Sequence, residues 1–472
     1  MVLAGCQLPL GESGSGTTFK LSKVGKSISG FTSKQINLVR KNEKKMISDY
    51  PQVTSLSEMV EGAKSNIDLD IGFSKSLKQA IETHPSIIAK AQRLEMRLNS
   101  ISALETTKDL RVTGSFLGGL QDVSDRTAGM AVVLNANRLL FDGGLIDSKI
   151  AAQQYLYGSE KFALEAAINR QALELSSTWV NLERFETLER LLDRRLSVLE
   201  PLIVQLEKVA EAGIGDVTRV TAAQKIVSEI RETKVEVEES LEQQRVRFRN
   251  AFGDIPESAS YDASFISTNV PNRVDEEMIN NSPAIKSDYS AYLAAEAGLA
   301  AVKAEGDFEV AFEARATTPV GGGGYSSDES IGLVARKTLF NKKQLTSLIA
   351  EAEAGVNSAM ANLQSTYRRG KQEIRIAEQN IASKEKVILI AKDTAKVTSD
   401  QILYLRKQLI IGGSTLDSVL SAEARLYDAE AKEVNFLAER RMSELLILAT
   451  LGILGKSLDI AVESQMNSIN SN

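Results

Sequence analysis

The sequence predicts an α+β membrane protein: a trimeric 12-strand transmembrane β-barrel, four strands per chain, continued by a long α-helical coiled-coil barrel. Three observations predict it. The chain contains two tandem copies of one pattern, each copy carries two amphipathic strands, and each ends in very long, glycine-poor heptad segments. Self-similarity at a fixed offset marks a duplicated structural unit. Phe141 and Phe340 are 199 residues apart, as are Gly213 and Gly412, and Phe252-Gly253 and Leu451-Gly452. His84-Pro85 and Ser282-Pro283 stand 198 apart, so one residue is inserted between these anchors. The division is 1–70, an N-terminal lipoprotein-like tether and extended segment; 71–253, repeat 1; 254–274, a linker; 275–452, repeat 2; and 453–472, a C-terminal tail.

At the amino end, Leu3-Ala4-Gly5-Cys6 resembles the lipobox of a bacterial lipoprotein, which makes Cys6 the expected acylation site. Residues 11–34 are rich in Gly, Ser, Thr and Lys, the composition of a flexible tether. Ser76 to Leu104 then has a helical pattern broken near Pro85, with His84 expected as a surface or capping residue.

Strands are expected at about 109–120 and 128–140, and again at about 307–318 and 329–340. Leu110, Val112, Gly114 and Phe116 alternate with Arg111, Thr113 and Ser115, and Met130, Val132, Leu134 and Ala136 share one face of the next strand. In the second copy Phe308, Val310, Phe312 and Ala314 alternate with Glu309, Ala311, Glu313 and Arg315, and Ile331, Leu333 and Ala335 follow. Period-two alternation describes a strand with two unlike faces. Glu309, Glu313 and Arg315 on one face are unusual for a soluble core and natural for the water-filled lumen of a barrel. Phe116, Phe141, Phe308, Phe312 and Phe340 suit its lipid face or aromatic girdle.

Residues 145–212 hold one glycine and one proline, and a helix of that length reaches about 100 Å. Phe185, Leu188, Leu192, Arg195, Leu199, Leu202, Leu206 and Val209 form a heptad seam with Arg195 its polar member. Val220, Ala223, Val227, Ile230, Lys234, Val237 and Leu241 continue it on the returning helix. Copy two offers Ile388, Ala391, Ala395, Thr398, Ile402, Leu405 and Leu409. Pro201 removes one helical hydrogen bond and predicts a kink. The hairpins reverse at 213–216 and 412–415, where Gly213, Gly215, Gly412 and Gly413 suit left-handed turns and Asp216 or Ser414 and Thr415 can cap the outgoing helices. Trp179 is read as helix packing.

Composition excludes several function classes. Lys plus Arg is 56 against 62 Asp plus Glu, a net charge of −6, so no nucleic-acid footprint is expected. One cysteine and one histidine leave no disulfide framework, multi-cysteine zinc site or Ser-His chemistry. Gly455-Lys456-Ser457 lacks the upstream glycine of a phosphate loop, since Thr450 stands there. No catalytic residue, cofactor or metal is therefore expected, and energy for transport must come from a partner. Four strands cannot close a membrane barrel, for which about eight is the minimum. Three copies supply twelve strands and twelve helical limbs.

With these residues in view, the chain resembles the TolC-type outer-membrane factors of Gram-negative bacteria. The resemblance covers about residues 70–455. Its carriers are Ser76-Leu77-Lys78-Gln79-Ala80 leading to His84-Pro85; Leu139-Leu140-Phe141-Asp142-Gly143-Gly144; the Gly213 turn with Val217-Thr218-Arg219-Val220; and their second-half copies. The resemblance implies a homotrimer in outer-membrane lipid, with its helical part in the periplasm. It implies docking to a periplasmic adaptor (membrane fusion) protein through the hairpin turns, and to an inner-membrane transporter of ABC or RND type. The implied function is a passive exit duct, with type I protein secretion favoured and multidrug or small-molecule efflux as the alternative. A soluble coiled-coil scaffold or adhesin stalk is the rival of a different class.

Two departures from the family pattern matter. The family commonly has Asn before the first proline, where His84 and Ser282 stand here. The aspartates that members place inside the periplasmic tip correspond to Ser418 and Ser421, leaving Asp216, Asp417 and Glu423 as substitutes for the tip gate.

Overall fold

The computed structural model describes residues 67–69, 72–122, 127–212, 217–256, 268–320, 325–337, 342–411 and 413–460, all within the unit Ser65–Asn472. The helical stretch around Pro85 is two helices, α1 (Phe73–Glu82) and α2 (Pro85–Glu105). Pro85 occupies the first turn of α2, where its missing N–H costs nothing. His84 caps that helix: its Nδ1 accepts from the Ser86 N–H at 3.3 Å. The second copy repeats the arrangement with α5 (Glu276–Asn280) and α6 (Pro283–Ala304), where Ser282 precedes the proline without a side-chain cap.

The strands are β1 (Arg111–Asp122), β2 (Thr127–Phe141), β3 (Glu309–Pro319) and β4 (Asp328–Arg336). Three begin and end within two residues of the expected bounds. The fourth is corrected: β4 ends at Arg336 rather than 340, and residues 338–341 lie outside the described set. The four form one antiparallel sheet in the order β1-β2-β3-β4. The central β2–β3 ladder is the seam between the two copies, so neither repeat folds as a separate sheet. A register shift between Leu139 and Phe141 breaks that ladder just before the chain leaves the sheet.

The Leu139-to-Gly144 motif makes the strand-to-helix corner. The Asp142 carboxylate accepts from the N–H groups of Gly144 at 2.9 Å and Ile146 at 2.7 Å, satisfying donors at the start of the next helix. Gly143 and Gly144 both have positive φ, and a side chain at Gly143 would meet Asp307 Cβ at 2.7 Å. Glycine is the residue that fits both demands.

The corner launches α3 (Leu145–Glu211), which returns as α4 (Val217–Phe252). Copy two builds α7 (Lys342–Ile410) and α8 (Leu416–Thr450), followed by the short α9 (Ile453–Ser457). The 67 and 69 residues of α3 and α7 correspond to about 100 Å each. The α3 assignment runs unbroken through Pro201. In contact order the long helices read α4-α3-α8-α7, with α6 packed on both α3 and α7 and α2 on α3.

Three apolar clusters hold the array, one of them formed by Val274, Ile279, Ile285, Ile374, Ala377, Ile447 and Leu451. In a second cluster, at the middle of α3, Trp179 is buried with its ring 5.2 Å from Phe73, 5.0 Å from Phe248 and 5.4 Å from Phe252. Farther along, Leu192, Leu199, Ile203, Ala223, Val227 and Ile230 meet Leu416 and Leu420. The seam residues Leu188, Leu192, Leu199, Val220, Ala223, Val227, Ile230, Leu241, Ile388, Ala391 and Ile402 are buried. The polar seam members stay half-buried in two cases, Arg195 and Lys234, while Thr398 is buried. Lys234 reaches Asp193 at 2.5 Å.

Candidate functional site

Two features of this frame bear on function: the faces of the sheet and the polar layer above the hairpin turns. Residues directly opposite in an antiparallel ladder share a face. One face collects Val112, Phe116, Met130, Val132, Leu134, Phe312, Ile331 and Leu333. It is exposed: Phe116 is 62%, Ile331 77% and Leu333 69% accessible. Its polar members, Arg138, Thr318 and Glu329, lie toward the strand ends.

The opposite face carries Arg111, Thr113 and Ser115 on β1, Asn135 and Asn137 on β2, Glu309, Glu313 and Arg315 on β3, and Ser330 and Arg336 on β4. On that face Ala131, Val133 and Ala311 are buried. The structure brings Glu309 and Glu313 together through Arg336, which pairs with Glu313 and lies 4.0 Å from Glu309. Asn137 Nδ2 donates to the same Glu313 oxygen at 3.1 Å. Arg315 lies one pair farther along, opposite Asn135 and Ser330. Arg336 was not singled out from sequence. Its signal was the hairpin register, which sets it against Glu309.

At the tip, Gly213, Gly215, Asp216 and Gly412 lie outside the described residues, and Cys6 does also. Gly413 donates its N–H to the Gln408 carbonyl at 2.9 Å, closing the end of α7. Thr415 is the N-cap of α8: its hydroxyl accepts from the Ser418 N–H at 3.3 Å and lies 2.9 Å from the Ser418 hydroxyl. Ser418 is thus engaged in the cap. Asp417 is exposed in the first helical turn, where the helix dipole favours an acid, and Ser421 is exposed one turn on.

Glu423 is not at the surface. Its side chain is 8% accessible and accepts from Arg406 Nη2 on α7 at 2.5 Å. Facing the same cleft of about 260 Å³ are Arg194 and Arg195 of α3 and Tyr427 and Glu430 of α8. Arg194 pairs with Glu430 at 3.2 Å, and the Arg195 guanidinium lies over the Tyr427 ring at 5.2 Å. Burial raises the Glu430 carboxyl above its usual range, opposed by Arg194. Burial likewise raises the Tyr427 phenol, opposed by Arg195. The layer ties α3, α7 and α8 together by charge where the seam is otherwise apolar. Sequence reasoning flagged Arg195 and Glu423 but not Arg406 or Tyr427, which come from other heptad positions and meet them only across the helix array.

Among the described residues there is no group of three or more metal-ligating side chains, and no helix is long and apolar enough to cross a membrane.

Glu423→Ala strands Arg406 beside the half-buried Arg195. The expected loss is about 1.5–3 kcal/mol, the range for a hydrogen bond to a charged group, toward its lower end because Arg406 stays partly solvated. Glu423→Gln should lose less, since it keeps an acceptor. Thermal unfolding of the purified protein measures both, and equal stability of wild type and the alanine variant would remove the layer's structural role.

No family model matches the sequence, and no curated protein matches it. Solved structures do. The transmembrane channel protein CusC superposes with a TM-score of 0.71 at 15% identity, over 80% of this chain and 91% of that one. The outer membrane protein VceC from Vibrio cholerae gives 0.69 at 16% identity, over 80% and 96%. The Campylobacter jejuni CmeC outer membrane channel gives 0.69 at 13% identity, over 83% and 88%. Duplicated helix-strand-hairpin copies, a shared four-stranded sheet with unlike faces and paired hairpins of about 100 Å together give this chain the fold of the TolC-type outer-membrane factors.

Proposed function

We propose that the chain is one third of a passive exit duct through a Gram-negative outer membrane, a homotrimer whose twelve strands form the barrel and whose helices form a tube in the periplasm. The observation that carries this reading is the inverted sheet. Its large apolar side chains are exposed on one face, while its charged and amide side chains, Arg138 and Glu329 near the strand ends apart, lie on the other. A sheet in water does the reverse, and a barrel in lipid has this pattern. The sheet has two outer strands, β1 and β4, whose outward edges have no partner among the described strands. Lipid does not tolerate an open edge, so neighbouring copies supply the missing ladder. The scaffold or adhesin reading accounts for the helices but not for this face.

The duct draws its energy from an inner-membrane transporter of ABC or RND type, coupled through a periplasmic adaptor at the turns of Gly213, Gly215, Gly412 and Gly413. Acylation at Cys6 adds a lipid anchor. The sequence leaned toward type I secretion of polypeptides. Similarity to the channels above supports small-molecule efflux better, and efflux is the cargo proposed here. Opening is an iris-like separation of the hairpins, resisted by interhelical contacts and by the acids Asp216 and Asp417 with Ser418 and Ser421 near the tip.

Three outcomes are expected. Lysine at Ile331 or Leu333 places charge on the lipid face, costs about 2–4 kcal/mol near the bilayer midplane, and reduces the carbonate-resistant membrane fraction. Wild-type protein that washes off in carbonate would favour the scaffold instead. In planar bilayers, Asp417→Ala and Asp216→Ala raise ion conductance, and unchanged conductance in the double variant would remove the acidic gate. Finally, a deletion strain becomes sensitive to drugs and dyes with its secreted proteins intact. Loss of one or a few large secreted proteins with drug tolerance unchanged would return the cargo to polypeptide.

A further inference from the structure

The apolar face of the sheet carries its few charges unevenly. On β4, Glu329 stands at the loop end and Lys337 one residue past the strand, with Ile331, Leu333 and Ala335 alternating between them. Lys337 continues the same parity. Eight residues span about 26 Å along a strand, or about 20 Å of height at a tilt of about 40°. That approaches the height of a barrel's lipid-facing band, so both charges fall at its margins. On β2 the one charge of this face is Arg138, three residues before the strand ends and the chain turns into α3. Both cations therefore lie at the helical end and the acid at the loop end.

Arg138 and Lys337 are exposed, and neither has an ion pair or hydrogen bond among the described residues. The acids at this end are engaged or apart. Asp142 accepts from Gly144 and Ile146, and Glu309 is on the opposite face near Arg336. Asp307 lies against Gly143, and neither it nor Asp109 is ion-paired with either cation.

The register shift marks the same margin. It inserts Leu140, which sets Phe141 opposite Val310 on the apolar face. Unbroken alternation would have turned Phe141 to the face of Asn137 and Leu139. Its ring lies 5.2 Å from that of Phe308, and both rings are exposed. Phe308 immediately precedes β3, the strand between those of Arg138 and Lys337. Exposed rings beside unpaired cations match the headgroup level of a bilayer. There the rings sit at the acyl boundary while guanidinium and ammonium groups reach outward to phosphate.

We propose that this margin, around Arg138, Lys337 and the Phe141–Phe308 pair, binds anionic phospholipid of the leaflet on the helical side, each cation meeting one phosphodiester. The site presupposes the exit-duct reading, since a sheet outside lipid would offer these groups to water.

The test uses the full chain purified in detergent and offered equal amounts of phosphatidylglycerol and phosphatidylcholine with identical acyl chains. Retained lipids are counted by native mass spectrometry. Wild type is expected to favour phosphatidylglycerol by about fivefold for each cation engaged, the usual effect of one Lys or Arg near an anionic surface. That preference should fall as salt rises. Arg138→Met and Lys337→Met should each lose about that factor, and the double variant should retain the two lipids equally. Arg138→Lys keeps the charge and should keep most of the preference. Water-soluble glycerol 3-phosphate should not compete, and displacement of lipid by it would overturn the lipid assignment in favour of a free-phosphate site. Equal retention of both lipids by wild type, or an unchanged preference in the double variant, also overturns the proposal. Carbonate extraction separates the two failures. Wild type that stays in membranes without a lipid preference removes this site alone, whereas wild type that washes off removes the duct reading with it.

Discussion

Edge closure is the constraint on which this architecture depends. A strand satisfies its backbone groups only through neighbours, and four strands leave two outward edges. In water such edges are blunted by charge or covered by a helix. Here the long helices pack with one another, and among the described residues the sheet's main element contacts are between its own strands and with the short turn at Thr106–Lys108. The apolar face of the same sheet is equally uncovered. Both deficits are met by one arrangement, in which further copies complete the ladder and lipid covers the face. The two deficits taken together support assembly with further copies, since either alone admits other remedies.

The helices pose the same problem at larger scale. Contacts order them α4-α3-α8-α7, an open row whose flanks are α4 and α7. On α7, Ile390, Val397 and Tyr404 recur every seven residues and are exposed, with Ile411 just past the helix end continuing the spacing, a second seam beside the one buried against α8. On the proposed reading, neighbouring copies close the tube along these flanks. The charged pairs across the row, such as Lys392–Glu433 at 3.6 Å and Arg441–Glu183 at 2.6 Å, are partly exposed. Such pairs contribute about 0–1 kcal/mol each, against about 1.5–3 for each buried Leu or Ile. Apolar burial therefore holds the helices together, and the ion pairs act mainly on register.

The layer around Arg195 departs from that rule. It places three guanidinium groups and two carboxylates where the seam above and below is aliphatic. Polar groups at a seam position sacrifice stability and can specify alignment, as polar residues at coiled-coil core positions do elsewhere.

Much of the fold was legible in the sequence. The 199-residue offset, the period-two strands and the heptad seams each reflect a local rule, and local rules survive without tertiary information. Asp142, Gly143 and Gly144 were visible as a motif, but their role as a corner appeared only when Asp142 was seen capping Gly144 and Ile146. The alternation placed Glu309, Glu313 and Arg315 on one face, because side-chain direction in a strand is set by residue parity. What joins the two acids, Arg336, depends on the β3–β4 register. Sequence treated Glu423 as a candidate for the tip gate, whereas the fold buries it against Arg406 and near Arg195, residues at sequence separations of 17 and 228. Periodicity determines which face of a helix is apolar, but not which helices meet or at what level. Those are decided by packing among elements far apart in the chain, and the polar layer around Arg195 and Glu423 exists only through them.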